Sequence, residues 1–366
     1  MVIGYDGSRV FTANRSGTEN YSYQLLKALA KIDKQNNYIV YTRPFINDTA
    51  VALMKFPGSF KVVEIPWPRF WTQGGLAQQT FKDPLDVLFV PAHTLPLIRK
   101  PGLKTVVTVH DLGSEYLPSM HQLKQRIYLS FMQRKQLKGT TKIIAVSNAT
   151  KMDLVKRVEI SPKKIEVVYE GFDKKLFKPV NHAKRGKVDT LADNYFLFVG
   201  TVQPRKNLER VIRAFGVLCN NLNLVIAGSK GWLSEEIYGL PKKLGIEKRV
   251  KFLGYVSDKD LQALYSGAIA LVFPSLFEGF GLPILEAQAC GCPVITSNIS
   301  SMPEVAGKGA ILVDPYNVDE IANAMIEVMD EKVRSKLIEA GFENIKRFSW
   351  EKCARETLEV LNGVSG

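Results

Sequence analysis

Short apolar runs alternate with amphipathic stretches along nearly the whole chain, and that alternation leaves few folds open. In the first half the runs are Val2–Tyr5, Tyr38–Tyr41, Val62–Ile65, Asp86–Val90, Thr105–Val109, Ile143–Val146 and Ile165–Val168. They are short, rich in Val and Ile, and bounded by Pro, Gly, Asn or Asp, so each reads as a strand. Ser22–Ile32 places Leu25, Leu26, Leu29 and Ile32 at helical spacing. Lys178–Asn194 is polar, carries Pro179 and Gly186, and has no apolar period, so it reads as a linker. The pattern then restarts with Tyr195–Val199, a helix face at Leu208, Val211, Ile212, Phe215 and Leu218, and further strands at Leu222–Ala227, Val250–Leu253, Ile269–Phe273, Val294–Thr296 and Ala310–Val313. Ser349–Leu361 reads as a helix. Strands alternating with helices predict a parallel sheet covered on both faces. Two such sets predict an α/β chain of two Rossmann-like, doubly wound domains, 1–178 and 195–346, joined by linker 179–194 and followed by a helical tail at 347–366. Ligands of such sheets bind at the carboxyl ends of the strands, which predicts a central cleft.

A length of 366 residues suits two domains. No run approaches the ~20 apolar residues of a membrane-spanning helix, and the first residues, MVIGYDGSRV, lack a signal-peptide pattern. The expected location is the cytoplasm. Cys219, Cys290, Cys292 and Cys353 form no C-x-x-C pair, and His93, His110, His121 and His182 have no metal spacing, so no metal site is expected. The net charge of +13 is uneven. Residues 1–180 carry 27 Lys and Arg against 14 Asp and Glu, and the remainder is balanced. Such asymmetry points to a polyanionic partner or to a merely solvated basic surface.

Neither G-x-G-x-x-G at a strand–helix turn nor a Walker A sequence occurs, which disfavours a nicotinamide dehydrogenase and a P-loop NTPase. Three other constellations carry chemistry. Gly200-Thr201-Val202-Gln203-Pro204-Arg205-Lys206-Asn207 joins a strand to a helix start, where two cations and free N–H groups suit a diphosphate; the cations alone also fit an ordinary surface. Phe273–Ala287 ends a strand at Pro274, turns through Glu278-Gly279-Phe280-Gly281-Leu282, and starts a helix at Pro283 with Glu286 in its first turn. A carboxylate at a helix dipole explains Glu286 but not Glu278 beside the glycines, which let backbone amides approach a ligand. Val109-His110-Asp111 puts a histidine at a strand end, suited to a sugar hydroxyl or a proton, or to a structural hydrogen bond.

Taken in this order, the three resemble the GT-B-fold retaining glycosyltransferases of group 1, glycosyltransferase family 4. Arg15-Ser16-Gly17-Thr18-Glu19, Ala145-Val146-Ser147, Tyr169-Glu170-Gly171-Phe172-Asp173, Gly228-Ser229-Lys230-Gly231-Trp232, Phe252-Leu253-Gly254-Tyr255-Val256 and Phe348-Ser349-Trp350 extend the resemblance over nearly the whole chain. The resemblance implies that 347–366 crosses back to the first domain. It implies that Arg205 and Lys206 hold the donor phosphates, Glu286 the ribose, Glu278 with Gly279, Phe280, Gly281 and Leu282 the transferred sugar, and Val256 and Asp258 the base. Gly17 would close over the diphosphate and His110 contact the sugar near the reacting carbon. Many relatives have Arg where Thr201 stands, so the phosphate site here rests on Arg205 and Lys206.

The activity so implied is metal-independent hexosyl transfer with retention, from a nucleotide-diphosphate sugar, with GDP-mannose favoured over UDP-hexoses, to a glycan or lipid-linked acceptor and with no other cofactor. A phosphorylase or nucleotide-sugar epimerase of the same fold, and a nucleic-acid-binding protein, are the alternatives; no nucleic-acid module is evident, so nucleic acid is not an expected partner. From Tyr116 to Met152 there is no acidic residue, while Lys124, Arg126, Arg134, Lys135, Lys138, Lys142 and Lys151 are basic and Leu123, Ile127 and Phe131 recur at helical spacing. That segment, with Trp67-Pro68-Arg69-Phe70-Trp71, fits peripheral attachment to the inner face of an anionic membrane, or packing of the apolar stripe into the first domain.

Overall fold

The computed structural model describes residues 1–12, 17–44, 56–92, 94–112, 134–180, 194–219 and 221–364. They form two compact units, Met1–Gly171 with Trp350–Gly366, and Phe172–Ser349. Each is built on one parallel sheet.

In the first unit the strands are β1 (Val2–Asp6), β2 (Asn37–Thr42), β3 (Phe60–Glu64), β4 (Val87–Val90), β5 (Lys104–Val109), β6 (Lys142–Ala145) and β7 (Ile165–Val167). Their order is β3-β2-β1-β4-β5-β6-β7, every pair parallel. The order reverses between β1 and β4. Helix α1 (Gly17–Ile32) buries Leu25, Leu26 and Leu29 and leaves Lys27 and Lys31 in solvent. Short helix α2 (Ala77–Lys82) precedes β4. Helix α3 (Asn148–Val158) starts at Ser147, whose hydroxyl caps it by accepting from the Thr150 N–H at 3.0 Å.

In the second unit the strands are β8 (Tyr195–Val199), β9 (Asn223–Ala227), β10 (Val250–Gly254), β11 (Leu271–Phe273), β12 (Val294–Ser297) and β13 (Ala310–Val313). The order β10-β9-β8-β11-β12-β13 is again all parallel and reverses between β8 and β11. The helices are α4 (Leu208–Gly216), α5 (Glu235–Lys243), α6 (Asp258–Gly267), α7 (Leu282–Ala289), α8 (Met302–Ala306), α9 (Val318–Glu327) and α10 (Glu331–Asn344). Leu208, Val211, Ile212 and Phe215 of α4 lie fully buried with Phe196, Phe198, Leu224 and Ile226 of the sheet. Each such side chain contributes about 1.5–3 kcal/mol through burial. Residues 172–178, placed before the linker in the sequence reading, pack with this unit. The Phe177 ring meets Tyr265 edge-on at 6.1 Å, and the Lys178 carbonyl accepts from Gln262.

The last helix, α11 (Trp350–Gly363), belongs to the first unit. It packs along α1, with Trp350 edge-on to Tyr21 at 5.9 Å and Asn362 accepting from the Asn36 amide.

Candidate functional site

Both sheet reversals carry candidate residues at their carboxyl ends. In the second unit, β8 passes through Gly200 into a single 3-10 turn, Pro204–Lys206. Gly200 is approached so closely by Gly228 that a Cβ on Gly228 would lie 2.0 Å from the Gly200 oxygen. Asn207 ends the turn in the left-handed region, φ 61°, which Asn tolerates. Its buried amide donates to the carbonyls of Pro274, at 2.9 Å, and Pro315, at 2.6 Å. The Leu276 N–H donates to the Arg205 oxygen at 2.9 Å. These bonds seat the Arg205–Lys206 turn against the end of β11.

The tie brings Glu278 to both cations. Arg205 donates to Glu278 Oε2 and Lys206 Nζ to Oε1, each at 2.6 Å, and Arg205 also donates to the Phe277 carbonyl at 2.8 Å. The three side chains are 19, 11 and 9 % exposed respectively. Burial alone would raise the Glu278 carboxyl; the adjoining Lys206 and Arg205 charges outweigh it and hold the group at about 2. Lys206 also stands 4.9 Å above the Phe273 ring, a cation–π arrangement. Thr201 is exposed.

The turn after Glu278 is clamped by a Ser pair that the sequence reading missed. The Ser300 hydroxyl donates to the Glu278 carbonyl at 2.7 Å, and the Glu278 N–H donates back to it at 3.3 Å. Ser301 donates to the carbonyls of Glu278, at 3.0 Å, and Phe280, at 2.7 Å. Gly279, Phe280 and Gly281 are buried, and Gly281 sits at φ 115°, a conformation that favours glycine, to start α7. Leu282 is the first helical residue, so Glu286 lies beyond the first turn rather than within it, as the sequence suggested. Glu286 accepts from the Tyr265 hydroxyl at 3.0 Å. Burial pushes its carboxyl up to about 7, against the Tyr265 hydrogen bond and with help from the Asp258 charge. Val256 is half-buried; Asp258 is exposed at the start of α6, behind the Ser257 cap.

In the first unit, His110 follows β5 and is buried. Its Nε2 lies 2.9 Å from the Pro91 carbonyl at the end of β4, and its Nδ1 lies 3.2 Å from Glu170 Oε1 beyond β7. A carbonyl accepts only, so Nε2 carries a proton. Nδ1 then faces a carboxylate and is satisfied only if it is protonated too. Burial would lower the imidazolium, yet the Glu170 hydrogen bond and charge, with the Pro91 carbonyl and Asp111, hold it above the usual His value. Thr150 donates to the His110 carbonyl, and the Tyr21 ring meets the imidazole edge-on at 4.6 Å. Glu170 stands within the Tyr169–Asp173 motif, but nothing in its spacing pairs it with His110. Gly17 is the first residue of α1, and a Cβ there meets nothing within 4 Å among the described residues.

Of the aromatic segment, Trp71 is buried and donates to the Ile65 carbonyl, whereas Trp67, which covers Gly74 and Gly75, and Phe70 are exposed. Leu123, Ile127, Phe131, Lys124 and Arg126 lie outside the described residues. Lys138 and Lys142 pair with Glu159 and Glu166, acids from beyond their own segment. No described helix is long and apolar enough to cross a membrane.

Two doubly wound parallel sheets in one chain, each reversing its strand order once, define a two-unit α/β protein of the kind whose ligands bind at the carboxyl ends of the strands. Comparison with known proteins agrees. The family model for glycosyl transferases group 1 matches residues 180–344 and that for glycosyltransferase family 4 matches residues 15–176. The O-antigen chain mannosyltransferase B of Escherichia coli is 30% identical over 271 residues, 70% of each chain. The O-antigen chain mannosyltransferase RfbU of Salmonella typhimurium is 34% identical over 223 residues, 61% of this chain and 59% of that one. Among solved structures, sucrose-phosphate synthase from Thermosynechococcus elongatus superposes with a TM-score of 0.80 at 20% identity, over 99% of this chain and 98% of that one. The chain belongs to the group 1, family 4 glycosyltransferases and has their GT-B fold.

Proposed function

We propose that this enzyme transfers a hexose, mannose by preference, from a nucleotide-diphosphate sugar to a glycan or lipid-linked acceptor, with retention and without a metal. The observation that carries the reading is the Arg205–Lys206–Glu278 cluster beside the start of α7. Loss of a nucleoside diphosphate places negative charge on its β-phosphate. Fixed cations and helix-start N–H groups aimed there stabilise that charge. Glu278 then meets the sugar end of the donor and Glu286 the ribose end. Mannose is favoured because two relatives at 30% and 34% identity carry mannosyltransferase names.

Calorimetric titration with GDP and UDP tests the donor, and GDP is expected to bind more tightly. Lys206→Ala is expected to weaken that binding by about 1.5–3 kcal/mol, about ten- to a hundredfold in Kd. Tighter UDP binding would reverse the donor assignment, and an unchanged Kd in the variant would remove Lys206 from the phosphate site.

The excess positive charge of residues 1–180 supports a peripheral site of action on an anionic membrane, where each Lys or Arg near the surface adds about 1 kcal/mol. Co-sedimentation with phosphatidylglycerol-containing vesicles is expected at low salt and lost at high salt. No binding at low salt, with full activity on a neutral soluble acceptor, defeats this part.

A further inference from the structure

The two carboxylates of the second unit are held in opposite ways. Glu278 has each oxygen occupied by a cation. Glu286 has no ion pair among the described residues: one oxygen, Oε2, takes the Tyr265 hydroxyl at 3.0 Å, and the other has no hydrogen-bond partner there. Tyr265 is fully buried on α6, with Phe177 edge-on against its ring. Glu286 on α7 is only partly covered. The ionisable groups facing it are Tyr265 and Asp258 of α6, and Cys290 at the end of its own helix; none is a cation. A carboxylate without a counter-ion, pinned at one oxygen and open at the other, suits neutral hydroxyl donors rather than a phosphate.

We infer that Tyr265 is a positioning residue: its buried hydroxyl fixes one oxygen of Glu286 so that the carboxylate presents the other to the vicinal diol of the donor ribose. The inference rests on the proposed ribose role of Glu286. It adds a residue on another helix and a pH window. The ionised carboxylate accepts from both hydroxyls of a diol and the protonated form is a poorer acceptor, so diol binding strengthens as pH rises through the Glu286 value near 7. The Tyr265 bond opposes the upward push of burial. Its loss moves the window to higher pH.

Titrations of GDP and of 2′,3′-dideoxy-GDP between pH 6 and pH 9 test this with wild type, Tyr265→Phe and Glu286→Gln. Using both ligands removes the ionisation of the phosphates themselves, which they share. Tyr265→Phe is expected to weaken GDP about tenfold at pH 7, the loss of one hydrogen bond to a charged group, and to recover toward wild type at pH 9. Dideoxy-GDP should be indifferent to both substitutions. If Glu286→Gln discriminates between the two ligands while Tyr265→Phe does not, the ribose reading stands and the role of Tyr265 is overturned. If Tyr265→Phe weakens both ligands equally at every pH, Tyr265 is merely structural and the inference again fails. If Glu286→Gln leaves GDP binding unchanged, the ribose reading fails and the inference falls with it.

Discussion

Glu278→Gln is expected to destabilise the second unit and to abolish turnover together. On sequence alone, the change looks like the loss of a sugar contact, with turnover falling more than stability. The structure shows a larger burden, because the same carboxylate is the counter-ion of two poorly exposed cations. Removing one partner of a buried ion pair costs about 3–5 kcal/mol, since the remaining charge stays desolvated and unpaired. Wild type carries its own signature of this pairing. A carboxyl held at about 2 instead of 4.5 in the folded state, at about 1.36 kcal/mol per pH unit, contributes about 3 kcal/mol. Because the folded value is depressed, that contribution is fully present above about 4.5 and is lost as pH falls toward about 2. Urea unfolding of wild type and variant should therefore differ widely at pH 7 and converge toward pH 3. A gap of the same size at both pH values would show that Glu278 does not act through its charge.

The architecture was legible for a physical reason. A parallel sheet is covered on both faces, so its strands are continuous apolar runs such as Tyr195–Val199 and Val87–Val90, which stand out in any sequence. The motifs at strand ends were legible too, because glycines and charges interrupt those runs where the backbone must turn. Side-chain pairing across loops was not. Ser300 and Ser301 read as an ordinary polar turn, yet their hydroxyls donate three hydrogen bonds to the Glu278 loop and accept one from it. Tyr265 reads as one more apolar position on a helix face, and its hydroxyl matters only because α6 and α7 lie side by side. Trp71 misled in the other direction. A tryptophan in a Pro- and Arg-containing segment resembles an interfacial aromatic, but its indole N–H is satisfied internally at Ile65 and the ring is buried. Neighbours remote in the chain decide all of these cases, and no local period encodes them.

The same gap explains His110, where the largest effect in the first unit is expected. At a strand end it reads as a residue waiting for a substrate, but both ring nitrogens already have partners, from the ends of β4 and β7. His110→Ala leaves the Glu170 carboxylate buried without its cation and is expected to cost about 3–5 kcal/mol. Glu170→Ala lets the buried ring shed its proton, since the Glu170 carboxylate is what holds it charged, and is expected to cost less. The double variant removes both charges and should cost clearly less than the sum, with a coupling of about 1–3 kcal/mol. A second readout comes from pH. The folded His110 value is raised, so its contribution to stability is complete below the unfolded value near 6.5 and is lost as pH rises through the folded value. Wild type should therefore weaken at alkaline pH relative to Glu170→Gln, which has no buried carboxylate to hold the ring charged. The predicted donor residues other than Gly17 lie in the other unit, so GDP affinity of folded His110→Ala should stay near wild type while sugar transfer slows. Strictly additive single variants, or a GDP affinity that falls in step with turnover, would remove the buried pair as the basis of what His110 does.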